Sequence, residues 1–134
     1  MSAPALSGLH VMIIDDEQDF AATLALRLEL RGITVESFFS GEEGLARLRE
    51  KLPDALLLDM RMPGFSGAAV LRELREGGGI PGSDRLPVFI VSGHSSEQDH
   101  EQVIALGIQG YICKPVQFDE LLENIATVTG RAST

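Results

Sequence analysis

Five short, nearly continuous apolar runs, at residues 9–14, 33–38, 55–58, 88–91 and 111–113, alternate along this chain with segments whose apolar residues fall three and four apart. A short apolar run suits a strand covered on both faces, the usual condition in a parallel sheet. The spacing of Phe20, Leu24 and Leu28, and of Leu45, Leu48 and Leu52, is that of amphipathic helices. Strand followed by helix, five times over, predicts an α/β fold. Right-handed crossovers then give a doubly wound, five-stranded parallel sheet with helices on both faces, the last at about 118–128.

Local punctuation agrees with these boundaries. Ser40 with Glu43, and Ser95 with Gln98, fit capping boxes in which a hydroxyl and a side-chain carbonyl satisfy free amides at a helix start. Gly32 and Gly107 follow helical segments where a left-handed residue is wanted. Glycines and prolines between 77 and 86 cannot continue a helix and predict a long, mobile connection on the edge away from the strand ends, acting as slack.

Four of the five runs end in a polar group suited to phosphoryl chemistry: Asp15–Asp16–Glu17, Asp59, Ser92 and Lys114–Pro115. In neighbouring parallel strands these groups meet at one sheet edge. Each has an ordinary alternative. An acid pair favours a helix N-terminus, Asp59 can begin a turn before Pro63–Gly64, Ser92 can start a helix, and a lysine is usually solvated. Together they describe an acidic pocket with one ammonium and one hydroxyl. Its carboxylates, brought together, stay ionised only beside a cation. Oxygen ligands without a histidine or cysteine cluster favour Mg²⁺ or Mn²⁺ over zinc. Asp59, at the end of an apolar strand beside two more acids, suits a nucleophile attacking phosphorus. Lys114, held by Pro115, suits a placed ammonium for a phosphoryl oxygen. No GxGxxG follows the first strand, which argues against a Rossmann nucleotide site.

A chain of 134 residues, 44% apolar, has room for one domain, expected at 9–130 with a lead at 1–8 and a tail at 131–134. A formal charge of −9 argues against nucleic acid. No stretch approaches the roughly 20 apolar residues of a membrane span. The single cysteine, Cys113, cannot form an internal disulfide, so a reducing cytoplasm is expected. Cys113 itself is expected to be buried, His10 and His100 to lie on the surface, and Met60 and Met62 to pack the loop after Asp59.

From Leu9 to about Val128 the chain resembles the receiver domains of two-component response regulators, which are flavodoxin-like with strand order 2-1-3-4-5 and five helices. The resemblance rests on Asp15–Asp16–Glu17, Asp59–Met60–Arg61–Met62–Pro63–Gly64, Val91–Ser92–Gly93 and Lys114–Pro115, in the family's order and with similar spacing. It implies a signalling phospho-acceptor that is not a turnover enzyme. Asp59 would take the phosphoryl group from a sensor histidine kinase or phosphotransfer protein. Asp16, Asp59 and the Arg61 backbone carbonyl would ligate Mg²⁺, with Asp15 acting through a water. Lys114 and Ser92 would contact the phosphoryl oxygens, Tyr111 would be the aromatic switch that follows Ser92 inward, and the bond before Pro115 would be cis. Arg61 and His94, two positions beyond Asp59 and Ser92, would flank the path of attacking water and slow dephosphorylation. The fourth helix, fifth strand and fifth helix would meet a downstream protein, with no direct role for nucleic acid or membrane. Val116 stands where the family usually has Phe, and Ser92 where Thr is commoner.

An aspartyl-nucleophile phosphohydrolase on a similar fold is the alternative. It calls for Asp-x-Asp after the first strand and a cap segment, whereas this chain has Asp15–Asp16; turnover of a generic phosphomonoester separates the two. A stand-alone receiver is expected over a domain of a longer regulator.

Overall fold

All strand pairs are parallel, and the chain reverses its direction of travel across the sheet once. The computed structural model describes residues 6–77, 79–93 and 96–131. Its elements are β1 (His10–Ile14), α1 (Gln18–Glu29), β2 (Thr34–Phe38), α2 (Gly41–Glu50), β3 (Ala55–Leu58), α3 (Gly67–Arg75), β4 (Val88–Ser92), α4 (Glu97–Leu106), β5 (Gly110–Cys113) and α5 (Phe118–Val128), with a 3₁₀ turn at Ser83–Arg85 between α3 and β4. The strand order is β2-β1-β3-β4-β5. This is the flavodoxin-like doubly wound sheet, with its switch point between β1 and β3.

Alternation along each strand sorts side chains to the two faces. Ala55 and Leu57 of β3 join Leu24 and Leu28 of α1 and Leu121 and Ile125 of α5 in one apolar cluster. Leu56 and Leu58 join Leu45 and Leu48 of α2, Leu71 and Leu74 of α3 and Val103 of α4 in the other. The central strands β3 and β4 are therefore buried throughout. The edge strands are not: β2 and β5 are mostly half-exposed, although the β5 run looks as apolar as a central strand's. Cys113, at the end of the β5 edge, is exposed, contrary to expectation.

Helices α2, α3 and α4 start after hydroxyl caps. Ser40 Oγ accepts from Glu43 N at 3.2 Å, and Ser66 Oγ accepts from Ala69 N at 3.2 Å. The cap of α4 lies one residue beyond the expected one. Ser96 Oγ accepts from Asp99 N at 3.0 Å, and Asp99 Oδ2 accepts from Ser96 N at 3.3 Å. Ser95, the expected cap, lies outside the described residues, as does His94. Gly32 and Gly107 have φ of +85° and +104°, as a chain leaving a helix in the left-handed region requires.

Two further expectations change. The described part of the connection at 77–86 is not slack: Ile80, Ser83 and Leu86 are buried, and Ser83 Oγ donates to Leu74 O or Ile80 O, each 2.8 Å away. The Arg75 guanidinium donates to the carbonyls of Gly107, Ser83 and Leu86 at 3.1, 2.7 and 2.8 Å. Glycine and proline make the turns, while one planar cation fastens them. His10 is half-buried, with Nε2 at 3.0 Å from Glu36 Oε1. Arg47 Nε donates to the same oxygen at 3.1 Å, and the Glu36 carboxyl is held below its usual value, chiefly by that bond.

Candidate functional site

Strand register brings the acids together. Ile14 lies opposite Leu58, so Asp15 and Asp59 each follow the last residue of adjacent strands, and Asp59 N donates to Ile14 O at 2.9 Å. On the other side Leu58 pairs with Ile90, and Ser92 with Cys113. This places Ser92 and Lys114 at the same sheet edge, with Lys114 N donating to Ser92 O at 3.0 Å. Asp15, Asp16 and Asp59 each offer an oxygen within 4.8 Å of the others'. Asp16, Asp59, Arg61, Ser92 and Lys114 then line one open cleft of about 340 Å³. The structure thus gathers the residues singled out from the strand ends, and the Lys114–Pro115 bond is cis.

Asp15 is 2% exposed, Asp59 5% and Ser92 3%. Burial, with the Asp15 charge beside it and Asp16 further off, pushes the Asp59 carboxyl up to about 7, against the pull of Lys114 and the Arg61 backbone N–H. Burial also raises Asp15, although Lys114 and the Glu17 N–H bond it. The cluster therefore carries more negative charge than its one ammonium offsets. Three hard oxygen donors with surplus charge fit a small divalent cation.

The resting partners of Lys114 escaped the sequence reading. Its Nζ is 2.9 Å from Asp15 Oδ2 and is bonded to Glu17 Oε1, and it stands 4.3 Å from the centre of the Phe20 ring. Burial lowers the Lys114 pKa, but the bonds to Glu17 and Asp15 outweigh it and leave it above the ordinary value. Glu17 directly follows the acid pair and was the available signal for this contact. The Arg61 guanidinium reaches Asp99 on α4 at 2.8 Å, a pairing across 38 residues that had no signal in the sequence. Tyr111 is half-buried, its ring packed edge-on against His100 at 4.4 Å. His100 is exposed, as expected. Met60 and Met62 are buried beneath the loop after Asp59.

A family model described as the response regulator receiver domain matches residues 11–126. The chain is 32% identical over 122 residues to the phosphate regulon transcriptional regulatory protein PhoB of Rhizobium meliloti, covering 91% of this chain and 52% of that one. It thus spans about half the length of this curated relative. A solved response regulator receiver protein from Pseudomonas putida superposes with a TM-score of 0.82 at 27% identity, covering 89% of this chain and 96% of the other. The receiver domain of the sensor histidine kinase PA1611 from Pseudomonas aeruginosa has the same fold, with a TM-score of 0.82 at 22% identity over 92% and 99% of the two chains. Its structure was solved with a magnesium ion in the active site cleft.

Proposed function

The chain belongs to the response regulator receiver domain family, and from that premise we propose that Asp59 is its phospho-acceptor, working with Mg²⁺ to receive a phosphoryl group from a histidine kinase or phosphotransfer protein. The observation that carries this reading is the Asp15–Asp16–Asp59 cluster, with Asp15 and Asp59 buried, Asp16 half-buried and Lys114 bonded to Asp15.

In this reading an Asp59 oxygen attacks the phosphorus of a phosphohistidine, the O–P bond forms as the N–P bond breaks, and the imidazole leaves. A carboxyl held at about 7 is only half ionised at neutral pH, so positive charge brought to the cluster readies the nucleophile. Asp16, Asp59 and the Arg61 carbonyl would hold the cation directly, with Asp15 acting through a water. When bound, the cation offsets charge on the acids and the phosphoryl oxygens. The Lys114 ammonium, poised on Asp15 and Glu17, turns to a phosphoryl oxygen. The Ser92 hydroxyl donates to another, and Tyr111 moves inward after it. The domain would span 9–130 and work in the cytoplasm; among the described residues no helix is long and apolar enough to cross a membrane.

With acetyl phosphate as donor, wild type is expected to gain the mass of one phosphoryl group, and Asp59→Asn or wild type in EDTA none. Full labelling of the Asn variant, or labelling indifferent to EDTA, overturns the assignment.

The proposed output face is α4, β5 and α5. It carries Glu97, Asp99, Glu101, Asp119, Glu120 and Glu123 against Lys114 and Arg131, and of the acids all but half-buried Asp99 are exposed. Such a surface repels its own copy and suits a basic protein partner through salt-sensitive contacts. Light scattering of the beryllofluoride-treated protein at low salt is expected to show a monomer; a tight activated dimer through this face contradicts that expectation.

A further inference from the structure

We propose that Asp99 is a positioning residue for phosphoryl turnover, holding the Arg61 guanidinium away from the acceptor until a phosphoryl group competes for it. The inference rests on the reading of Asp59 as acceptor. Arg61 stands where two clefts meet. It lines the acceptor cleft with Asp16, Asp59, Ser92 and Lys114, and it lines a neighbouring cleft with Met60, Met62, Asp99 and Gln102.

The two partners differ in freedom. Asp99 is anchored: its N–H donates to Ser96 Oγ, and its Oδ2 accepts from Ser96 N as well as from Arg61 Nη2 at 2.8 Å. The Arg61 side chain is 61% exposed and sits on the loop between β3 and α3. Asp99 is the fixed post and Arg61 the moving arm.

A phosphoryl group on Asp59 adds close to two negative charges and three acceptor oxygens to the cleft that Arg61 lines. Lys114, bonded to Asp15 and Glu17 before phosphorylation, is assigned to one phosphoryl oxygen, which leaves the others open to a second cation. One guanidinium is then contested by Asp99 and the phosphoryl oxygens, and its planar fork favours an oxyanion that it can grip with two donors. On the phosphoryl group it covers the approach of water. On Asp99 it leaves that approach open, so that a water oxygen adds to phosphorus, the aspartyl O–P bond breaks, and carboxylate and inorganic phosphate are released. The Asp99 charge therefore shortens the phosphorylated state, and it does so only through Arg61.

Asp99→Asn tests this, because the amide keeps a carbonyl oxygen for Ser96 N while losing the charge. Wild type, Asp99→Asn, Asp99→Glu, Arg61→Ala and the double variant Arg61→Ala/Asp99→Asn are labelled with acetyl phosphate and desalted. Their decay is followed by intact mass at fixed Mg²⁺ and pH, and melting temperatures are recorded alongside. Asp99→Asn is expected to decay about two- to fivefold more slowly than wild type, the range set by an exposed ion pair. Arg61→Ala is expected to decay faster, the double variant to match Arg61→Ala, and Asp99→Glu to return towards wild type. Unchanged or faster decay in Asp99→Asn, or slowing that persists without Arg61, overturns the inference, since a loosened α4 would act regardless of Arg61. Failure of wild type to accept label at all overturns the acceptor reading and this inference with it.

Discussion

Gly67→Ala is expected to cost about 3 kcal/mol and to lower the melting temperature by about 10 °C. Gly67 opens α3, and its N–H donates to Met60 O at 3.0 Å. A Cβ there would stand 2.1 Å from the Asp59 carbonyl oxygen and 2.9 Å from its carbon, so backbone has to give way. The end of β3 is held by the bond from Asp59 N to Ile14 O. The strain therefore falls on the loop between Asp59 and α3, which carries the Arg61 carbonyl. Labelling by acetyl phosphate should slow along with the loss of stability. Gly64→Ala is the control: its added Cβ meets nothing within 4 Å, but φ is +81°, for a cost of about 1 kcal/mol. Chemical denaturation of both variants checks the order; a Gly67→Ala cost no greater than that of Gly64→Ala refutes the clash.

The second large effect is on pH and metal dependence. The Asp59 carboxyl is pushed up from 3.8 to about 7 by burial and the neighbouring acids, and Asp15 is raised in the same direction. A folded value above the unfolded one means that the folded protein binds the proton more tightly. Stability is then fullest below about pH 4 as far as these groups are concerned, and falls as pH climbs towards 7. Without divalent cation at pH 8, Asp59→Asn is expected to melt about 5 °C above wild type, for about 1–2 kcal/mol. That is less than the full shift would give, because the site is open to water on one side. At pH 4 the two should melt together. Added Mg²⁺ should raise the wild-type melting temperature at pH 8, do little at pH 4, and do little for the Asn variant at either. Thermal scans across pH read this directly; a wild type more stable than Asp59→Asn at pH 8 without metal shows that the cluster does not store this repulsion.

How much of this was legible in the sequence depended on the range of the interaction. Strand positions were, to within a residue, because burial on two faces demands a run of apolar side chains. The strand-end residues were too, because parallel strands bring their C-terminal ends to one edge whatever lies between. Which run is an edge strand was not legible: residues 111–113 are as apolar as a central strand, yet only the order of crossovers leaves Cys113 in solvent. The pairings of Lys114 with Glu17, across 97 residues, and of Arg61 with Asp99 depend on how loops and helices are set against the sheet. The connection at 77–86 misled because composition reports backbone freedom and says nothing of where the neighbouring Arg75 guanidinium turns to remove it.

The exposed thiol of Cys113 gives the chain a built-in attachment point. It is the sole cysteine in the sequence, so a maleimide dye would mark one position without any substitution, two residues from Tyr111 and next to Lys114. Fluorescence from that spot would follow movement of the aromatic ring and arrival of a partner protein in real time. The same thiol obliges every measurement of self-association to be made under reductant, because two copies joined through sulfur would pass for an activated dimer.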